Sequence, residues 1–508
     1  MKYEHSNKKI LKEILKCKDV SEALEKSSIR TPEKIFIYNI NDKNKISFYK
    51  FNNLVNKCCN FFLSKNIKQK DIISIKTKNC AEFLVIYFAC IRYKSIVNPI
   101  PSSITDYEFL EKINFIRPKL IIIDNLSKLK KKNIINISSD FNKNFLNYLS
   151  KNFSNKFIPI NKFNYKDTAV LYYSSGTTDN PKIIEYSYRS MIELQKSMIR
   201  QDFTYSKTNH LCILPFGHTS VLRYSIKQAA VLGSTIYITD NFWKIKSDFF
   251  KIISKKNINY IQLVPSLATS ILNINSKYNF NNKLIFGCGS SYLSRSLQIE
   301  FEKKFSTKLL NLYGLSEIGA SHFENPKKRK VGSIGKPLDI YDFKILNKKN
   351  KFCKNKELGE LIVKGKALFN GYFKNPKLTR QSFFNKYFKT GDIGFKDKDG
   401  YYYYADRKKD LIIKGGVNIL PSEIDEAILK SNKNILESST IGIKDNFYGE
   451  IIKSFIVLKK KDKLIQSKLK NNLVKKLGNF KSPDIIVVKK KFPKTASGKI
   501  IKRLIDDE

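Results

Sequence analysis

The stretch whose reading decides the fold is 171–182, LYYSSGTTDNPK, where apolar Leu171-Tyr172-Tyr173 runs straight into a loop of small hydroxylated residues closed by Pro181 and Lys182. Such a loop suits polyphosphate. Backbone N–H groups around Gly176 can approach phosphate oxygens closely, the hydroxyls of Ser174, Ser175, Thr177 and Thr178 add donors, and Lys182 adds a point charge. It is not a Walker loop, in which the lysine follows glycine and precedes Ser or Thr; here Lys182 follows proline and precedes Ile183. Taken alone, a Ser/Thr/Gly-rich loop is more often a solvated turn, so its meaning rests on what surrounds it.

At 508 residues with 42% apolar content, the chain is long enough for two or more domains. Its first residues, MKYEHSNKKILKEILK, lack the apolar run of a signal peptide, and the uncharged stretch Phe83 to Ile91 is too short to cross a bilayer. A cytoplasmic protein without a transmembrane segment is expected. The eight cysteines form no CxxC pair and mostly sit in apolar segments, and the four histidines are scattered, so buried thiols are expected and no structural metal is implied. The formal charge of +49 is spread almost uniformly and accompanies abundant Asn, Ile, Phe and Tyr. That pattern follows an A/T-rich genome more simply than a nucleic-acid surface, and no stacking aromatics or recognisable module mark a specific nucleic-acid partner.

Alternation of strand and helix patterns runs through the first four hundred residues: an amphipathic segment at Phe51 to Phe62, strands at Ile72 to Ile75 and Leu120 to Ile123, and a helix at Ala81 to Ile91. Further strands are predicted at Leu211 to Leu214, Thr235 to Tyr237, Tyr260 to Val264 and Leu284 to Phe286. From about residue 330, VGSIGKPL, GELIVKG and DGYYYYADR carry the punctuation of short β structure. The expected fold is α/β: a large N-terminal domain of mixed α/β sheets over 1–408, with a small β subdomain from about 330, then a mobile C-terminal α+β domain over 409–508.

Beyond SSGTTDNPK the chain carries LPFGH at 214–218, YGLSE at 313–317, GELIVKG at 359–365, YFKTGD at 387–392, DRKKDLIIKGGVNILPSEID at 406–425 and PKTASGK at 493–499. With these motifs, in this order and over nearly its whole length, the chain resembles the adenylate-forming (AMP-binding) superfamily, most closely its acyl-CoA and aryl-CoA synthetases. The resemblance implies a reaction in which a carboxylate attacks the α-phosphorus of ATP, so that placing cations and dipoles between two anions is the main task.

On that resemblance, the loop from Ser174 to Lys182 handles the β- and γ-phosphates, and Glu317 holds Mg²⁺ with Thr177 nearby. Tyr313 stacks on adenine, Gly314 lets backbone approach the nucleotide, and Ser316 supplies a hydroxyl beside the α-phosphate. Gly289, Ser290 and Ser291 border the adenine, although a proline usual there is Tyr292. Asp392 accepts from both ribose hydroxyls, a suitable task for a bidentate acceptor, and Arg407 is its partner on sugar and phosphate. Lys499 bridges the attacking carboxylate and the α-phosphate. His218 lies near the acyl carboxylate and the thiol channel. Lys409 is the hinge, and Gly415 and Gly416 admit the pantetheine arm in a second pose.

Two departures stand out: Asp179 replaces a glycine of the phosphate loop, and Ile183 replaces another. A carboxylate facing the γ-phosphate would weaken ATP binding by like-charge repulsion. The expected function is an ATP- and Mg²⁺-dependent acid:thiol ligase acting on a small-molecule carboxylic acid, with coenzyme A as acceptor. An acidic acyl or peptidyl carrier protein is the alternative acceptor, and a decayed adenylate-binding or polyanion-binding protein is the alternative of a different class. The acid is left open among aryl, fatty and amino acids.

Overall fold

In the computed structural model, the segment AEFLVIYFACIRY forms the helix Ala81–Tyr93, of which every residue except Glu82 is buried. A helix apolar on all sides has to lie inside the protein. Its side chains belong to one continuous core that also takes in Phe36 and Ile37 from one sheet, Ile73, Ile75 and Val97 from another, and the buried face of the neighbouring helix Phe48–Ser64. The structure describes all residues except 1, 125–128, 130–132, 142–143, 159, 161–162, 175–181, 202, 205, 276–277, 281–283, 463–464, 496–498 and 507–508, with the side chains of 2–6 also left out.

Among the described residues, nine strands make the largest sheet, and six of them run parallel in the order 308–315, 285–289, 260–263, 209–212, 235–238 and 35–39. Antiparallel strands Gly319–Phe323 and Lys336–Pro337 extend one edge. A second sheet of seven strands is parallel at its centre, Thr168–Tyr173 to Ile134–Asn136, and ends in the antiparallel strands Ile183–Ser187 and Gly371–Tyr372. Leu120–Ile123, with the sequence LIII, is buried throughout, as a central parallel strand must be. The expected strands are thus present, with Leu211 to Leu214 beginning earlier, at Asn209–Cys212.

A small antiparallel sheet follows, containing Tyr341–Leu346, Gly359–Gly365, Tyr387–Lys396 and Tyr402–Arg407. The last two strands form a hairpin around the turn 397–401, where the Asp397 carboxylate accepts the backbone N–H groups of Asp399 and Tyr401 and pairs with Lys330. The C-terminal domain has its own sheet and a separate core of Ile412, Ile419, Ile424, Ile428, Ile452, Ile456 and Leu473. Seven cysteines are buried and Cys353 is partly exposed. Among the described residues, no helix is long and apolar enough to cross a membrane.

One ion pair ties the N-terminal helices to the core. Asp19 caps the helix Val20–Arg30 by accepting from Ser21 and Glu22, and its other oxygen meets Lys94, which sits over the Phe163 ring at 3.9 Å. Both charges are buried, so losing one leaves the other uncompensated. Asp19→Ala should therefore cost about 3–5 kcal/mol in denaturant unfolding. Adding Lys94→Met should recover part of that loss, and a single-variant cost below 1 kcal/mol would contradict the assignment.

Candidate active site

The C-terminal ends of parallel strands from both large sheets open toward one cleft, the position where open α/β sheets place ligands. Strand Lys308–Leu315 delivers Tyr313 and Gly314 and leads into Ser316 and Glu317; Ile285–Gly289 delivers Gly289 and leads into Ser290 and Ser291; Thr168–Tyr173 leads into Ser174. Ser175, Gly176, Thr177, Thr178 and Asp179 lie outside the described residues. The two ends of their loop are fixed to each other: Ser174 N–H donates to the Lys182 carbonyl at 2.9 Å, and Lys182 N–H donates to Ser174 Oγ at 3.2 Å.

The centre of the cleft is Asp392, 1% exposed. Tyr313 donates its hydroxyl to Oδ2 at 2.6 Å, and Arg407, directly opposite on the neighbouring strand, brings Nε to 2.8 Å from Oδ1. That second contact is ionic only, because the guanidinium N–H is not aimed at the oxygen and Oδ1 has no hydrogen-bond donor among the described residues. Burial raises the Asp392 carboxyl above its ordinary value, with the Arg407 charge pulling it back. The Tyr313 phenol is raised by burial and by the Asp392 charge.

Glu317 lies half-buried where the seven-stranded sheet meets this strand, its Oε1 accepting from the Tyr372 hydroxyl at 3.1 Å. Lys182 Nζ stands over the same Tyr372 ring at 5.1 Å. Lys499 reaches the cleft from the C-terminal domain. Burial and the Arg407 charge lower its ammonium to about 8, while Asp392 and Glu317 oppose the shift. The His218 imidazole is pushed down to about 4 by burial and then by Lys499, and its Nε2 is buried without a hydrogen-bond partner among the described residues. Ser291 Oγ is likewise buried and unpartnered among the described residues, and Ser290 is held at φ 69°, a costly angle for a side-chain-bearing residue.

The structure therefore gathers Tyr313, Glu317, Asp392, Arg407, Lys499 and His218, and it places Lys409 close enough for its charge to act on Lys499. Gly415 and Gly416 stand apart, at the exposed turn between strands Ile412–Lys414 and Val417–Ile419. Their φ values of 54° and 78° are those of a two-residue hairpin turn that side chains disfavour, so the turn alone accounts for both glycines. Gly314 also has a local reason: a Cβ there would lie 2.0 Å from the Gly319 carbonyl oxygen on the paired strand.

The sequence profile of the AMP-binding enzyme matches residues 24–373, and that of the AMP-binding enzyme C-terminal domain matches 423–499. The chain belongs to the AMP-binding enzyme family. Among relatives of this AMP-binding enzyme, a sulfoacetate–CoA ligase of Cupriavidus necator is 29% identical over 65% of each chain, so the match spans about two thirds of that protein. A long-chain-fatty-acid–CoA ligase of Bacillus subtilis is 28% identical over 92% of each. The solved structure of ATP-bound MatB from Rhodopseudomonas palustris shares the fold with a TM-score of 0.89 at 21% identity, covering 96% of this chain and 98% of that one.

Two residues of the site are absent from the motifs. Arg223, on the π-helical turn Leu222–Ile226, donates to the carbonyls of Leu315 and Ser316 at 3.0 and 2.8 Å and packs over Tyr172 and Tyr186, fixing the loop that carries Glu317. Its sequence signal is a charge inside the otherwise apolar VLRYSI. Tyr372 joins Glu317 to Lys182, and only tertiary proximity reveals it.

Removing the partner of a buried acceptor costs about 1–3 kcal/mol, more when it is charged. Arg407→Met should accordingly lower the unfolding midpoint of this AMP-binding enzyme, and Asp392→Asn added to it should restore most of the loss. A double variant no more stable than the single one would show that the two side chains are not coupled.

Proposed function

We propose that this AMP-binding enzyme joins a carboxylic acid to the thiol of coenzyme A at the expense of ATP. The acid's oxygen attacks the α-phosphorus and pyrophosphate leaves; the thiol sulfur then attacks the carbonyl of the acyl-adenylate and AMP leaves. The observation that carries the reading is Lys499 in the cleft, its charge felt by Asp392 and Glu317 of the other domain. A cation there offsets the repulsion between the attacking carboxylate and the triphosphate, which is the main barrier in such a displacement.

The rest of the cleft supports the same assignment. Asp392 Oδ1, buried and lacking a donor among the described residues, fits one hydroxyl of a ribose, and Tyr313 supplies a ring face beside it. The Glu317 carboxylate is the oxygen donor a hard cation prefers. Mg²⁺ held there would neutralise charge on the phosphates. Ser174 and Lys182 flank the phosphate loop, while Ser291 and Ser316 border the nucleotide. We assign residues 1–408 to the N-terminal unit, with its β subdomain from about 330, and 409–508 to a unit that turns about Lys409. The turn would bring Gly415 and Gly416 to the thiol. Both curated relatives named above are CoA ligases, which favours coenzyme A over a carrier protein as the acceptor.

With an ammonium lowered to about 8, Lys499 is charged below that pH and neutral above it. The kcat/KM of acid-dependent ATP–pyrophosphate exchange should be level below pH 8 and fall about tenfold per unit above it. Lys499→Ala should reduce exchange by about 100-fold or more while sparing thioester formation from a supplied acyl-adenylate. Exchange that is unchanged in Lys499→Ala would remove this residue from the first step.

A further inference from the structure

The helical stretch that begins after His218 buries more polar chemistry than its neighbours satisfy. Arg223 Nε, Ser225 Oγ, Lys227 Nζ and both amide atoms of Gln228 are buried and, among the described residues, without a hydrogen-bond partner. Lys227 is 0% exposed, and among the described residues no acidic group acts on it and the nearby charge is that of Arg223, which is like-signed; burial and that charge push its ammonium well below the ordinary value. Burying one unpaired cation costs several kcal/mol, and a second cation one turn away adds to the cost. The Leu222–Ile226 segment is also π-helical, a local distortion frequent at functional sites.

The stretch runs away from the reacting end of the cleft. His218, which feels Lys499, stands at its start, and at about 1.5 Å per residue Arg223 and Lys227 follow roughly 7 and 13 Å along the axis. Long helical side chains lean back toward the N-terminus, so the Lys227 ammonium returns toward Arg223. Space for a long chain is taken: Tyr260 and Tyr224 both pack against Phe203, and the Tyr260 hydroxyl occupies the position a Cβ on Gly287 would need, 2.3 Å away.

We propose that Arg223 and Lys227 form a buried anion subsite for the far end of the acid, and that the substrate is a short acid bearing a second anionic group, carboxylate or sulfonate. The proposal rests on the ligase reading above for the reacting end, and on Lys227 Nζ and Arg223 Nε, unpartnered among the described residues, for the far end. Arg223 then has two tasks, holding the Leu315–Ser316 carbonyls and facing the second anion beside Lys227.

The test is exchange kinetics with malonate, succinate and sulfoacetate against propionate, butyrate and octanoate, in wild type, Lys227→Met and Lys227→Arg. Dianions should exceed their monoanionic counterparts in kcat/KM by about 100-fold, because a site built for a charged group rejects analogues lacking it. Lys227→Met should lose most of that preference through KM and should melt higher than wild type, since the buried amine without a partner among the described residues is gone. Lys227→Arg should keep the preference. Monoanions serving as well as dianions, or a preference that survives in Lys227→Met, would overturn the subsite. A second readout does not need turnover: with a non-hydrolysable ATP analogue bound, dianions but not monoanions should raise the melting temperature of wild type and leave Lys227→Met unmoved. Silent exchange with that dianion-specific shift would defeat the ligase reading and uphold the subsite, whereas active exchange with no such shift would do the reverse.

Discussion

The cleft depends on one buried carboxylate. Asp392 belongs to the small antiparallel sheet, yet one of its oxygens is held by Tyr313 of the nine-stranded sheet and the other faces Arg407 on the adjoining strand. Withdrawing a carboxylate from water costs several kcal/mol unless hydrogen bonds and an opposite charge offset it. The small sheet can keep Asp392 ionised inside the protein only while docked where Tyr313 reaches it. Packing of the two sheets and electrostatics of the cleft are therefore one constraint, and the raised Asp392 carboxyl shows that the offset is incomplete.

Charge elsewhere follows a different rule. The chain carries a formal +49, but most of its lysines are solvated, and exposed charges more than about 8 Å apart are largely screened at physiological salt. The few cations that go inside have specified surroundings: Lys94 meets Asp19 and Lys414 meets Asp484, each a carboxylate brought from a distant segment. Lys227 departs from that pattern, which gives a single lysine among many its significance.

Much of this was legible in the sequence because the motifs are short and locally shaped. KTGD lies within one strand and DR at the end of the next, so pairing the strands brings Asp392 opposite Arg407. Alternation and apolar runs located the parallel strands, since buried strands must be apolar on both faces. Arg223 and Tyr372 were not legible in the same way. Each acts on residues about 55 or more positions away, and a lone charge in an apolar run has no partner until the chain is folded. The motif pattern also attributed Gly314 to the nucleotide, whereas the Gly319 carbonyl already requires it. The acid could not be read from aromatic content that is high throughout the chain, whereas the close approach of the Tyr260 hydroxyl to Gly287 is a tertiary fact with no sequence signal.

The hairpin that aligns Asp392 with Arg407 closes through the turn 397–401, fastened by the Asp397 carboxylate and by Lys330. The pairing already carries a bulge between Ile393 and Gly394, and a further slip of one residue in that register would send Arg407 to the opposite side of the ribbon without altering any residue of the cleft. Insertions are usually tolerated at surface turns, but here strand register itself carries chemical information. The identity of the exposed residues in that turn matters less to the cleft than the register that the two strands keep.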